Sequence, residues 1–192
     1  MMAPKLILTG FMATGKSVVA RACARALGWR LIDCDALIAE RAGRPIAEIF
    51  EQFGEAHFRM LERELIKEIA AERRRCPQCR NPLPAVIATG GGALVDPRNF
   101  AALSRAGVIV CLTARPEVIA RRIGPAAASR PMLTAGGKPL RERIAELLET
   151  RREAYARAAI SLDASDLTIS QAAAAVVAAF AAHGRKSWAI SA

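Results

Sequence analysis

The sequence predicts an α/β fold: a parallel sheet covered by helices on both faces. Two observations carry that expectation. Short apolar runs alternate with segments of helical periodicity along the chain, and a glycine-rich turn joins the first run to the first such segment. Strands buried on both faces read as continuous Val, Ile and Leu, and parallel neighbours need crossover connections. With 192 residues the chain is long enough for one well-buried domain and short for two. Hydrophobic residues make up 53% and charged residues 24%, the balance of a folded chain. Only 5% is aromatic, so Ala, Leu, Ile and Val must build the core.

Lys5 to Thr9 predicts a first buried strand, ended by Gly10, and Lys16 to Leu27 a helix. A second strand, Arg30 to Ile32, runs into Asp33-Cys34-Asp35. Helical patterns cover Ala36 to Ala42 and Pro45 to Phe53, and from Ala56 to Glu72 the spacing of Phe58, Leu61, Leu65 and Ile69 marks one buried face. Ala85 to Ala88 is a third strand leading into Gly90-Gly91-Gly92. A helix from Pro97 to Ala106, a strand from Val108 to Leu112 and a short helix from Pro116 to Gly124 follow. The Gly-, Ala- and Pro-rich stretch 123–138 reads as a mobile lid, then Leu140 to Ala158 as a long charged helix. Ile160 to Leu162 is the last strand and Ser170 to Ala182 the closing helix. Residues 1–183 thus form one domain, with 184–192 a flexible tail.

The net charge of +10 fits either nucleic acid or a site that handles polyanions. Most of the Lys and Arg lie beside Asp and Glu in helices, and the densest run, Glu72 to Arg75, lacks interleaved aromatics. Phosphate handling is the better reading, with no nucleic-acid partner. The longest apolar stretch, Ala172 to His183, is too short to span a bilayer, and no secretory signal precedes the first strand. Five dispersed cysteines suit a reducing cytoplasm.

Gly10-Phe11-Met12-Ala13-Thr14-Gly15-Lys16-Ser17 fits G-x-x-x-x-G-K-[ST], with a strand before and a helix after. Glycines let the backbone turn its N–H groups inward onto phosphate oxygens, and the following helix adds its positive end. Lys16 reaches the β and γ phosphates, and the Ser17 hydroxyl can ligate Mg²⁺. This predicts binding of a nucleoside triphosphate and leaves the acceptor open. Asp33 and Asp35, two apart on an extended strand end, can both face that site. One can hold Mg²⁺ and the other accept a hydrogen bond from an attacking hydroxyl. The competing reading makes Asp35 a helix N-cap.

These residues, taken with four later motifs, resemble the shikimate kinase family. Phe58-Arg59-Met60-Leu61-Glu62, Gly90-Gly91-Gly92, Arg130-Pro131-Met132-Leu133, and Arg151 four residues before Tyr155 match its pattern from about Leu6 to Val177. The resemblance implies a three-layer P-loop kinase fold with a central five-stranded parallel sheet, and transfer of the γ-phosphoryl of ATP to the 3-hydroxyl of shikimate. It places Ala13, Thr14, Gly15, Lys16, Ser17 and Val18 around the nucleotide, with Arg122 on the adenine side. Ser17 and Asp33 would hold Mg²⁺. Asp35 would bind the substrate hydroxyls and assist deprotonation, and Arg59 and Arg151 would grip the carboxylate. The Gly90–Gly92 turn would bring backbone N–H groups to the substrate, and Arg130 would close over ATP from the lid. A monomer is expected.

The insertion at 73–84 departs from that pattern. Its Cys76-Pro77-Gln78-Cys79 looks like half a zinc site, but zinc wants four ligands, and Cys23, Cys34 and Cys111 are poorly placed to supply them. A solvated loop with reduced thiols is expected, a site completed by a second subunit being the alternative. Rival functions are another small-molecule kinase, of gluconate or nucleoside monophosphates, and a ligand sensor without catalysis. The first lacks the joint Asp, Arg and Gly pattern; the second usually carries a DNA-binding module, for which this chain has no room.

Overall fold

The computed structural model describes residues 4–72, 83–124, 133 and 139–189, with side chains up to 183. Five strands, β1 (Lys5–Gly10), β2 (Arg30–Asp33), β3 (Ala85–Ala88), β4 (Val108–Thr113) and β5 (Ile160–Asp163), form one sheet. Their order is β2-β3-β1-β4-β5 and every pairing is parallel. Helices α1 (Lys16–Leu27), α2 (Cys34–Ala42), α3 (Ile46–Ala71), α4 (Pro97–Ala106), α5 (Pro116–Ile123), α6 (Leu140–Ala156) and α7 (Ile169–Ala189) connect and cover the strands. The chain goes to one side of β1 for β2 and β3, then crosses to the other for β4 and β5. Such a reversal opens a crevice beyond the C-terminal ends of the central strands, where ligands of these sheets bind.

Alternation along each strand divides the core into two layers. Ile7, Ile87 and Ile109 face one side, against Ile38, Phe58, Leu65 and Leu103 from α2, α3 and α4. Leu6, Leu8, Val86, Val110 and Leu112 face the other, against Val19, Ala20 and Cys23 of α1 and Ala172, Ala173 and Val176 of α7. A third cluster of Phe11, Cys111, Ile119, Ile144 and Tyr155 lies under the loop after β1. Small side chains let α1 and α7 sit close to the sheet, which is why so alanine-rich a sequence still closes a core.

The strands agree with the sequence reading to within a residue at each end. Two helices differ. The patterns ending at Phe53 and beginning at Ala56 join into α3, interrupted only where Gly54 leaves the helical region (φ 78°, ψ 172°). The last helix, expected to fray at Gly184, continues to Ala189. One interior glycine costs a helix only about 1 kcal/mol, and neither a proline nor a cap follows it. Lid residues 125–132 and 134–138, and both Cys76 and Cys79, lie outside the described residues.

Two contacts tie the sheet to its helices. Lys5, 2% exposed, donates its Nζ to the carbonyls of Ile69 (2.6 Å), Ala70 (3.2 Å) and Glu72 (3.1 Å). A cation there satisfies the orphan acceptors at the end of α3 and complements its negative pole. Gly10 closes β1 at φ 133°, where a Cβ would stand 2.1 Å from the Leu112 carbonyl oxygen. Gly10→Ala should therefore destabilise by about 3 kcal/mol or more, from strain and collision together. Thermal unfolding measures it, and an unchanged Tm would contradict the packing described.

Candidate active site

β1 delivers the loop from Gly10 to Ser17 to the C-terminal edge of the sheet. Thr14, 1% exposed, donates through Oγ1 (2.8 Å) and N (3.4 Å) to the Phe11 carbonyl. Lys16 Nζ donates to the same oxygen at 2.9 Å. Ala13 (φ 60°) and Gly15 (φ 99°) take left-handed conformations that curl the chain. No side chain caps α1 at Gly15, so its first N–H groups remain available to an anion. Ser17 and Val18 follow on the first turn, Val18 being 41% exposed.

Arg122 on α5 braces this loop from the side. Its Nη1 donates to the Thr14 carbonyl (3.4 Å) and its Nη2 to those of Ala164 (2.9 Å) and Ser165 (3.3 Å). The loop after β5 is held further by an Arg115–Asp166 ion pair (2.7 Å) and by Ser165 Oγ, which accepts from Arg115 N (2.9 Å). These contacts were not legible in the sequence, where Asp163 to Asp166 had no assigned partner.

The two aspartates sit differently from the expected extended pair. Cys34 already begins α2, so Asp33 is the residue that caps the helix, its Oδ1 accepting from Ala36 N at 3.3 Å. Asp35 stands on the first turn and faces inward. The tight passage from strand to helix replaces the two-residue alternation, and Asp35 is the carboxylate that feels the Lys16 charge. Burial raises the Asp35 carboxyl above its ordinary range, opposed by Lys16 and assisted by Asp33.

Behind Asp35 lies Glu62, 1% exposed. Its Oε2 accepts from Arg59 Nη1 at 2.8 Å, while Glu55 Oε1 accepts from the Nε (3.1 Å) and Nη2 (3.0 Å) of the same arginine. Burial pushes the Glu62 carboxyl up; Arg59 counters it, and Asp35 adds to it. Glu62 Oε1 and Asp35 Oδ1 are buried without a hydrogen-bond donor, and both crowd the same point above Gly90. A hydroxyl group is a donor of the kind they lack.

The Gly90–Gly92 turn links these groups, and space rather than φ requires its glycines. A Cβ would lie 2.4 Å from Glu62 Oε1 at Gly90, and 2.5 Å from Arg59 Nη2 at Gly92. At Gly91 it would press on Gly10 O and Met12 N, both at 3.3 Å. Gly91 also accepts from Tyr155 Oη (2.5 Å) and Arg151 Nη1 (3.4 Å), and the Arg151 guanidinium lies 5.4 Å from the centre of the Phe11 ring. Arg151 is 5% exposed. Arg59, Arg151 and Gly92 line a cavity of about 470 Å³ that opens to solvent. The structure thus gathers Lys16, Asp33, Asp35, Arg59, Gly90 to Gly92, Arg122 and Arg151 along one edge; Arg130 lies outside the described residues.

The shikimate kinase family model matches residues 12–181. The chain belongs to the shikimate kinase family. It is 44% identical to a shikimate kinase of Geobacter sulfurreducens over 85% of this chain and 83% of that one. With a Caldanaerobacter subterraneus shikimate kinase it shares 42% identity over 91% and 95%. Among solved structures, shikimate kinase from Acinetobacter baumannii in complex with shikimate superposes with a TM-score of 0.83 at 26% identity, covering 94% of each chain. A gluconokinase from Sinorhizobium meliloti, at 16% identity and a TM-score of 0.61, shares the fold alone.

The Mg²⁺ that accompanies ATP in shikimate kinases fits the donors present. Ser17 and Asp33 offer oxygen atoms only, Asp33 from its place at the N-cap of α2. Among the described residues there is no group of three or more His, Cys, Asp or Glu that could hold a metal ion by itself. Two oxygen donors suit an ion that arrives with phosphates and keeps its waters. No described helix is long and apolar enough to cross a membrane.

For this shikimate kinase family member, sequence reading quoted Glu62 in the same motif as Arg59, and the two pair at 2.8 Å. It missed the roles of Glu55 and Phe11. A Glu four residues before Arg59 was a usable signal, whereas the Phe11 contact crosses the sheet edge and had none. Gly92→Ala should drive Arg59 from its position and raise the KM for shikimate about tenfold or more, since one displaced charge-assisted contact is worth about 1.5–3 kcal/mol. Steady-state kinetics decide it, with the KM for ATP as control.

Proposed function

We propose that the chain transfers the γ-phosphoryl group of ATP to the 3-hydroxyl of shikimate on the route to chorismate and the aromatic amino acids. One observation carries this reading. Donorless carboxylate oxygens of Asp35 and Glu62, the backbone of the phosphate-binding loop, and two arginines that line a small cavity all meet at the Gly90–Gly92 turn. That arrangement suits a compact molecule with a carboxylate at one end and hydroxyls at the other.

Arg59 and Arg151 hold the carboxylate through planar N–H forks. The glycine turn lets the ring approach without side-chain obstruction. Asp35 accepts the hydrogen bond of the attacking hydroxyl and takes its proton as the new P–O bond forms. Lys16 and the loop amides stabilise charge on the transferring group, and Arg130 adds a further cation from the lid. Ser17 and Asp33 would hold Mg²⁺, which would supply charge neutralisation at the phosphate oxygens. Positioning and electrostatics do most of the catalysis. The reading includes action as a monomer in the cytoplasm, where dispersed thiols stay reduced.

An ADP-release assay with Mg²⁺ across shikimate, gluconate and nucleoside monophosphates tests the reading. Turnover with shikimate alone is expected, and faster turnover of gluconate would overturn it. The pH dependence follows from Asp35. Because its carboxyl is raised and must be ionised to accept a proton, activity is lost as pH falls through that raised value. The acidic limb of kcat/KM for shikimate should thus lie above the ordinary aspartate range.

A further inference from the structure

The cavity under Arg59 and Arg151 continues outward past two arginines that the proposed chemistry does not use. Arg63 and Arg98 line the same cavity and converge on one carboxylate. Arg63 Nε donates to Asp96 Oδ2 at 2.8 Å; Arg98 donates through N (2.8 Å) and Nε (3.2 Å) to Oδ1 and through Nη2 (3.3 Å) to Oδ2. Asp96 caps α4. Burial works against its ionisation, but the hydrogen bonds from Arg63 and Arg98 outweigh this and hold the carboxyl at about 2.

Charge is out of balance here. Two guanidinium groups share one carboxylate, and both reach water, Arg63 at 37% and Arg98 at 70% side-chain exposure. Deeper in, Arg59 has Glu55 and Glu62 as partners. Counting Arg59, Arg63, Arg98 and Arg151 against Glu55, Asp96 and the Glu62 behind Arg59, four cations face three anions, and Arg98 and Arg63 are the most exposed of those cations. Cavities walled by protein focus such a field and raise the local concentration of an anion.

We propose that Arg63 and Arg98, both tethered to Asp96, form an outer station that gathers the substrate carboxylate before Arg59 and Arg151 receive it. This rests on the shikimate reading above. The tether stops the two long side chains from folding across the entrance, and their shared carboxylate leaves one net positive charge for the incoming acid. The field acts alike on bound substrate and transition state, so it lowers KM and leaves kcat alone.

Steady-state kinetics of the full chain at about 20 mM and about 300 mM KCl test this, since the Debye length shrinks severalfold between them. At low salt Arg63→Gln and Arg98→Gln should each lower kcat/KM for shikimate about three- to fivefold, the size expected of one charge acting through a partly aqueous medium. High salt should shrink that difference, and kcat and the KM for ATP should not move. Asp96→Asn keeps a residue able to cap α4 while removing a negative charge, so it should raise kcat/KM at low salt. A cluster with only a structural role gives the opposite, with Asp96→Asn impaired alongside the arginine variants. That result, or wild-type kcat/KM for shikimate insensitive to salt, overturns the proposal. If the wild type turns over shikimate and all three variants match it, this inference alone fails. If the wild type does not accept shikimate, the underlying reading fails with it.

Discussion

Lys16→Met should reduce kcat by about a thousandfold or more while leaving the protein folded, because one preorganised cation on a transferring phosphoryl group is worth about 3–4 kcal/mol or more. In the structure Lys16 Nζ donates to the Phe11 carbonyl, but Thr14 donates to that oxygen too, through Oγ1 and N. The loop thus keeps its closure when the ammonium is removed, and an unbranched Met fills the space of the lysine stem. The loss is compounded at Asp35, whose carboxyl Lys16 helps to keep ionised. Without that cation the acidic limb of the residual activity should move to higher pH. A coupled assay beside a thermal melt separates the outcomes. Undiminished turnover in a variant with unchanged Tm would refute the assignment of Lys16.

Arg151→Ala should raise the KM for shikimate about a hundredfold and shift that for ATP by less than about threefold. The estimate follows from losing a two-pronged, charge-assisted contact worth about 3 kcal/mol, with each tenfold equal to about 1.4 kcal/mol. Arg151 is 5% exposed and lies against Phe11, so its fork is already immobilised before substrate arrives. That preorganisation makes it a better grip than a surface arginine. Tyr155 holds the same Gly91 carbonyl, which keeps the glycine turn in place in the variant. Isothermal titration with each ligand checks the kinetics, and equal weakening for both would show that Arg151 supports the fold and not the acid group.

Much of this site was legible because its chemistry is local. The phosphate loop needs glycines at set spacing beside a Lys and a Ser, and that requirement is written in consecutive residues. The five strands were legible for a similar reason: β1, β3 and β4 lie at the centre of the sheet and must be apolar on both faces. The Asp33 and Asp35 pair was found but its geometry was not, since α2 begins two residues earlier than the apolar pattern suggests. The extended closing helix was missed because a single glycine looked like an end.

Strand and helix positions and the nucleotide loop were determined by the amino-acid sequence itself, through periodicity and short-range backbone demands. Tertiary structure alone decided that Lys5 caps a helix some 65 positions away, that Gly90 is small because Glu62 and Asp35 occupy the space above it, and that Arg63 and Arg98 meet at one aspartate. Each of these depends on which atoms a crossover brings within hydrogen-bond reach. Spacing along a chain carries no record of that distance until the sheet has closed.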